Sequence, residues 1–380
     1  MNVDAKYLRM EDVPYSPHRL CIIIDGPTLA WALEDKLLSN KFFKLCIIAN
    51  SVICCRVSPK QKASVVELAK RNGEWVTLSI GDGANDVPMI LEAHIGIGIR
   101  GKEGTQAVRS ADYSISQFRF LVRLLLVHGR WGYRRVSWMV CYYFYKNIIL
   151  VFTEIYFAFY NGFSGQIFFA DWLPMLYNAL WTSWQCLFAF VFEQDVNPEY
   201  AYKFPVVYQA GTKRVYFNFA IFWRWIIFSI WHGFIIFFGV TISFQGPQAQ
   251  GLTHNHWFLQ TICFSQVVII IVAKLFMETV YWHWISIATG ILSIFLYFLT
   301  VLIGNTETVS HIFQDELNGV VNEMLLNGRF WILMICIPAV ALLPDLTYVL
   351  LTRIYFPTPT EKVLRAQRAD PHFKSMASKK

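Results

Sequence analysis

The sequence predicts an α/β domain over the first third of the chain, followed by an all-α domain of six membrane-crossing helices. Three observations carry this reading. Apolar residues make up 55% of the 380 residues and aromatics 17%, with a mean hydropathy of +0.39, more than a soluble fold normally carries. The bias is uneven: residues 1 to 135 mix charges with short structured patterns, whereas long apolar runs dominate from Val136 to about Leu351. The front segment also alternates strand-like and helix-like runs, which is the pattern of a mostly parallel sheet.

Taken in order, the opening stretch "MNVDAKYLRMEDVPYSPH" lacks the apolar core of a signal peptide, so the front region is expected in the cytosol. Next come a strand "RLCIII" (19 to 24), a helix around 28 to 38, and a strand in "KLCIIAN" or "SVICCRV". The helix "PKQKASVVELAKRNG" (59 to 73) and the strand "EWVTLSI" lead into the loop "GDGAND", and a short helix and the strand "AHIGIGI" close the region. In parallel sheets ligands sit beyond the carboxyl ends of strands, which is where "GDGAND" falls.

About 20 apolar residues at a rise of about 1.5 Å cross a hydrocarbon core of roughly 30 Å. Six segments meet that length, at about 136 to 160, 172 to 192, 219 to 240, 257 to 277, 280 to 303 and 330 to 352. After the first, third and fifth, the strings "NGFSGQIFFAD", "SFQGPQAQGLTHNH" and "GNTETVSHIFQDELNGVVNEMLLNG" contain no Lys or Arg. The opposite side carries Arg123, Arg130, Arg134, Arg135, Lys203, Lys213, Arg214 and the tail "LRAQRADPHFKSMASKK". The positive-inside rule therefore places the front region and the tail on the cytosolic side. The stretch His128 to Arg135 is expected at the cytosolic membrane surface, within reach of anionic lipids.

The eight cysteines show no CxxC spacing and lie in strand-like or apolar runs, which predicts reduced, buried thiols. The net charge of +7 does not point to nucleic acid, because the basic residues flank apolar spans and fill the tail rather than alternating with aromatic stacking positions. His254 and His256 on an outer loop read as interfacial anchors beside Trp257 rather than a metal site.

Chemistry concentrates in "SIGDGANDVPMI", residues 79 to 90. Glycines at 81 and 83 allow a tight turn with exposed N–H groups, and Asp82 and Asp86 offer hard oxygen ligands suited to Mg²⁺ beside a phosphate. Asp-Gly and Asn-Asp clusters are also ordinary turn chemistry. About twenty residues earlier, "CRVSPKQK" ends a strand and starts a helix, where a lysine can reach a phosphate and Arg56 can approach a nucleotide. Asp25 in "IIIDGPTLA" follows a strand with Thr28 nearby, but turn formation by Asp-Gly-Pro explains it.

These strings carry a resemblance. "CCRVSPKQKASVVELAK", "IGDGANDVPMI", "FYKNIIL", "NGFSGQ", "FEQDVNPEYAYKFPVVYQAG" and "LLPDLTYVLLTRIYFP" occur in order, and together they resemble the C-terminal third of P-type ATPases of the phospholipid-flippase branch. The resemblance implies a haloacid-dehalogenase-like, Rossmann-like partial domain followed by a polytopic membrane domain of six transmembrane helices. It makes Lys62 the charge-neutralising catalytic lysine and Asp82 the better Mg²⁺ ligand, with Asp86 as a second. It also places Arg56, Lys62, Asn85 and Asp86 around nucleotide or phosphate, with Mg²⁺ and ATP as cofactors. No "DKTGT" occurs in the chain, so the aspartate that the family phosphorylates is not among these residues. The actuator and nucleotide-binding domains and the first four membrane helices have no counterpart here either.

Lys146 lies ten positions into the first apolar segment, hence about 15 Å deep by helix rise. A cation at that depth is either paired within the fold or functional. The flippase resemblance makes Lys146 and Asn147 part of a lipid headgroup path, with Asn178, Thr182 and Ser183 able to add hydrogen bonds. A cation pump needs several intramembrane carboxylates, and the first two segments offer only Glu154, toward the outer end, and Glu193, at the cytosolic end. The family commonly has Leu-Pro after Thr182 and Ser183, whereas this chain has Trp184 and Gln185. The missing proline predicts a straighter second helix.

The expected organisation is the end of a cytosolic phosphorylation domain over 1–120, a basic membrane-proximal linker over 121–135, a membrane domain over 136–356 and a basic cytosolic tail over 357–380. The expected function is that of the C-terminal part of an ATP-driven phospholipid flippase, inactive by itself. It would sit in the plasma membrane or an endomembrane, with phospholipid as substrate and a glycosylated accessory β subunit as possible partner. The alternative is a stand-alone, non-catalytic membrane paralogue with a regulatory or partner-binding role.

Overall fold

The computed structural model describes residues 20–101, 104–246, 254–306 and 318–369. The chain divides into two compact units, Met1–Leu124 and Leu125–Lys380. The opening stretch read for a signal peptide and the last eleven tail residues lie outside the described residues.

The first unit runs β1 (Cys21–Asp25), α1 (Gly26–Glu34), α2 (Lys36–Ile48), β2 (Ser51–Cys55), α3 (Pro59–Asn72), β3 (Leu78–Gly81), α4 (Val87–Glu92), β4 (Ile95–Ile99), α5 (Gln106–Ser110) and β5 (Tyr113–Ile115). All strand pairs are parallel, as the alternation predicts, but they form two sheets, β1–β2 and β3–β4–β5. Of the two candidate third-element strands only "SVICC" is one; "KLCII" continues α2, where Asp35 caps the helix by accepting the N–H groups of Leu37 and Leu38. The Asp25 carboxylate likewise accepts the N–H of Thr28, 3.1 Å away, and starts α1. This local bond is the turn role that Asp-Gly-Pro predicts.

The second unit begins inside a helical stretch, Phe118–Tyr160. That stretch comprises α6 (Leu121–Arg123), at the end of the first unit, a wider π-type segment (Leu124–Gly129) and α7 (Arg130–Tyr160); the second unit continues with α8 (Trp172–Leu176), α9 (Ser183–Phe192), α10 (Pro198–Lys203), α11 (Gln209–Thr212), α12 (Phe219–Ser243), α13 (His256–Glu278), α14 (Trp284–Gly304), α15 (Val320–Leu326), α16 (Gly328–Tyr355) and α17 (Pro359–Ala369). Among the described residues five helices are long and apolar enough to cross a membrane: Phe118–Tyr160, α12, α13, α14 and α16. Helix α13 is the most enclosed, burying fifteen residues, and the core joins it to α7, α9, α12, α14 and α16. The faces left exposed are apolar, as a helix bundle in lipid requires.

The predicted second segment, 172 to 192, departs most from expectation. It is not a straight helix: α8 passes into a π-type turn over Tyr177–Trp181, the helix breaks at Thr182 (φ −113°), and α9 resumes. Hydroxyl groups replace the missing proline as the cause. Thr182 Oγ1 donates to the Tyr177 carbonyl at 2.7 Å, and Ser183 Oγ donates to the carbonyls of Asn178 and Ala179. Ser and Thr hydroxyls that bond back to carbonyls of the preceding turn in this way favour a bend.

Three further expectations change. The fifth loop contains α15, whose Val320, Val321 and Met324 join the core. The tail begins with α17, whose Gln367 Oε1 accepts the N–H of Asn197 at 2.9 Å and whose Val363 is buried against Val196 and Val207. The cysteines are unpaired, but only Cys141, Cys186 and Cys263 are buried; Cys21, Cys55 and Cys336 are exposed.

Candidate functional site

In the first unit β3 ends at Gly81, and the chain turns through Asp82 and Gly83 into a short 3₁₀ turn, Ala84–Asp86, that leads straight into α4. This tight path folds the Asp86 side chain back over the strand end. A side chain at 81 would place its Cβ 2.3 Å from that of Asp86, so only glycine fits there. The N–H of Asp82 donates to Asp86 Oδ2 at 3.3 Å. Lys62 approaches from the first turn of α3, which a capping box fixes: the N–H of Ser58 donates to Gln61 Oε1, and the N–H of Gln61 to Ser58 Oγ. Its ammonium stands 2.7 Å from Asp86 Oδ1.

Partial burial by itself raises the pKa of Asp86, but the Lys62 hydrogen bond and charge, with the N–H groups of Asp82 and Gly83, outweigh it and hold the carboxyl below its ordinary value. Lys62→Met removes the largest opposing influences and leaves the burial. The Asp86 titration, followed by carbon NMR of labelled aspartate, is therefore expected to move to higher pH, and an unchanged midpoint would disprove the coupling.

Asp82 is exposed, and its carboxylate makes no hydrogen bond or ion pair among the described residues. Gly101 flanks it; a Cβ there would lie 3.3 Å from Asp82 Oδ2 and crowd the oxygen. One uncommitted hard oxygen beside a lysine-bound carboxylate fits Mg²⁺, which takes one or two protein carboxylates and leaves its other positions to phosphate and water. The structure thus brings Lys62, Asp82 and Asp86 together. Asn85 lies exposed on the turn between the two aspartates, and Arg56 follows β2 in the left-handed region (φ 52°). Neither side chain makes a contact that joins it to the other three among the described residues.

In the second unit Lys146 is fully buried in α7. Its ammonium donates to Thr182 Oγ1 at 2.9 Å and lies 4.4 Å over the ring of Tyr143 and 5.7 Å from that of Tyr177. Asn178 Nδ2 donates to Asn147 Oδ1 at 3.1 Å, so the polar residues of both elements meet at the helix break. His256 Nε2 stands 3.2 Å from the Ile167 carbonyl oxygen and His254 stacks on Phe258.

Residues 108–358 match the family described as the phospholipid-translocating P-type ATPase C-terminal region. The chain belongs to the phospholipid-translocating P-type ATPases. It is 38% identical over 351 residues to a phospholipid-transporting ATPase of Schizosaccharomyces pombe, covering 92% of this chain and 28% of that protein. It is 37% identical to the phospholipid-transporting ATPase DRS2 of Saccharomyces cerevisiae, over 92% of this chain and 26% of the relative. With a probable phospholipid-transporting ATPase IM of Homo sapiens it shares 35% identity over 94% of this chain and 30% of the relative. The chain spans under a third of the length of these relatives. Five apolar helices and this family membership make it an integral membrane protein.

Two charge clusters of this chain escape a reading by segments. Lys274 of α13 is buried and forms ion pairs with Glu278, 2.9 Å away, and with Asp345 of α16, while lying 4.5 Å over the Trp225 ring. The sequence signal was present as a lysine in "IIIVAKLF" and an aspartate in "LLPDLTY", but weighing carboxylates only on the first two segments passes over both. The second cluster adds protein partners to three arginines of the stretch His128 to Arg135. Arg130 grips Asp195 through both terminal nitrogens, with both side chains almost wholly buried. Arg134 donates to Glu193 Oε1 at 3.0 Å and Arg135 to the Glu193 carbonyl at 2.7 Å. These three arginines are thus bonded to the FEQD segment.

Proposed function

We propose that these residues form the carboxy-terminal part of an ATP-driven phospholipid translocase that moves lipid from the outer to the cytosolic leaflet through an aspartyl-phosphate cycle. The observation that carries the proposal is the Lys62–Asp86 pair beside the uncommitted Asp82 at the carboxyl end of β3. In this reading residues 1–120 are the end of a haloacid-dehalogenase-like phosphorylation domain, 121–135 link it to the membrane, and 136–356 cross the membrane six times. The sixth crossing is the broken segment 172 to 192, and 357–380 form a cytosolic tail. The concentration of Lys and Arg in one set of loops supports a cytosolic place for both the front region and the tail.

Asp82 and, secondarily, Asp86 would hold Mg²⁺. Bound there, the ion supplies neutralisation of the charge that develops on a transferred phosphoryl group. Lys62 orients Asp86 and presents its ammonium to phosphoryl oxygens, and Arg56 and Asn85 serve the nucleotide side. In the membrane, Lys146 and Asn147 lie on the headgroup path. A glycosylated accessory subunit on the outer loops belongs to the same reading as a property of the family and not of any residue in this chain. No DKTGT string is present in the 380 residues, so they accept no phosphate by themselves.

The test is to incubate native membranes with Mg²⁺ and labelled ATP and precipitate with an antibody against the tail residues 365–380. The expected result is an acid-stable, hydroxylamine-sensitive phosphoprotein well above 44.1 kDa, with none from the 380-residue chain expressed by itself. A labelled 44 kDa species, or no label in native membranes, would overturn the proposal.

A further inference from the structure

We propose that Thr182 is a positioning residue that latches the Lys146 ammonium inside the helix break, with a lipid phosphate as the group that replaces its hydroxyl; the second half of this statement rests on the translocase reading above. The geometry is a closed ring of hydrogen bonds. Lys146 Nζ donates to Thr182 Oγ1 at 2.9 Å, Thr182 Oγ1 donates to the Tyr177 carbonyl at 2.7 Å, and Tyr177 Oη donates to the Lys146 carbonyl at 2.6 Å. Thr182 can accept from the ammonium because its own proton goes to the Tyr177 carbonyl, five positions back across the π-type turn, which also accepts the N–H of Thr182 at 3.1 Å.

The ring leaves the ammonium underserved. A lysine carries three donors; here one is filled by a neutral hydroxyl, and the ammonium also lies over the ring faces of Tyr143 and Tyr177. Among the described residues no carboxylate forms an ion pair with Lys146, in contrast to Lys274 with its two. A buried cation without a counter-charge is poised to accept one. Access leads past Tyr143, which is 40% exposed, toward Asn178, which is exposed and bonded to Asn147. An anionic oxygen arriving there would meet Asn147 and Asn178 first and then compete with Thr182 for the ammonium.

The test uses the full chain in nanodiscs and reads amine modification of Lys146 by a membrane-permeable activated ester, with Lys274 as the internal control. Thr182→Val removes both bonds of the hydroxyl with little change of shape, and Lys146 modification is expected to accelerate roughly tenfold, the lower end for losing a hydrogen bond to a charged group. Thr182→Ser is expected to behave as wild type, and Lys274 to stay unmodified in every variant. If Thr182→Val does not survive purification, Thr182→Ala takes its place with the same readings. Wild-type rates in the Val and Ala variants, or accelerated rates in Thr182→Ser, would overturn the latch. Replacing phosphatidylcholine by phosphatidylserine in the nanodisc is expected to slow Lys146 modification in Thr182→Val. If the variant reacts quickly but no phospholipid changes its rate, the latch stands and the headgroup path at Lys146 falls.

Discussion

Lys274→Met is expected to destabilise the membrane unit by about 3–5 kcal/mol, because it strands a carboxylate that has lost its buried cation. Lys274 is the cation between Glu278 and Asp345, and the Lys274 and Asp345 side chains are each only 2% exposed. The two acids should respond differently. Glu278 is 20% exposed and lines a cavity of about 700 Å³ that also holds Arg134, Arg224 and Arg353, so it can turn to water or to an arginine. Asp345 is enclosed. Asp345→Ala should therefore cost nearly as much as Lys274→Met, whereas Glu278→Gln should cost about 1 kcal/mol or less, as for partly exposed pairs. Replacing Lys274 and Asp345 together by Met and Leu should recover most of the loss, since a well-packed apolar pair often equals a buried ion pair. Unfolding in mixed micelles of increasing SDS fraction measures all four. If Lys274→Met unfolds at the wild-type fraction, the ion pairs carry no stability.

Asp195→Ala is the second large effect, also about 3–5 kcal/mol, because Arg130 would keep a buried guanidinium with no acceptor. Arg130 and Asp195 lie at the ends of a two-pronged contact that joins the start of α7 to the segment after α9, and the Asp195 carboxylate also accepts the N–H of Val196 at 2.8 Å. Burial raises the pKa of Asp195, but the charges of Arg134 and Arg130 and the Arg130 hydrogen bonds prevail, and the carboxyl titrates below its ordinary value. The sign for stability follows. A carboxyl whose folded pKa is depressed stabilises the fold above its unfolded pKa, about 3.9, and that contribution fades as pH falls through the folded value. Asp195→Asn should therefore lose stability at pH 7 yet show a shallower further loss below about pH 4 than the wild type. Parallel acid-unfolding curves for the two proteins would rule out this contribution.

Much of the molecule is legible in the sequence, because some decisions are local or depend only on composition. Apolar length sets the spans: four of the predicted segments coincide with α12, α13, α14 and α16 to within a few residues. Strand and turn chemistry put "GDGAND" at the end of β3, since Gly81 and the Asp86 fold-back need only neighbours in the chain. The capping residues Asp25, Asp35 and Ser58 act within three positions of themselves. Lys146 declares itself by a charge in an apolar run.

What the tertiary structure alone decides is which distant groups meet. Lys274 and Asp345 stand in separate helices, Arg130 and Asp195 are 65 residues apart, and no periodicity in either segment signals its partner. The break at Thr182 belongs to the same class. Composition predicts one continuous apolar helix over 172 to 192, and the absent proline predicts a straight one. The ring formed by Thr182 and Tyr177 with Lys146 of α7 exists only once the helices have packed. A buried ammonium needs a hydrogen-bond acceptor, and one hydroxyl supplies it at the point where the helix gives way, passing its own proton to the Tyr177 carbonyl.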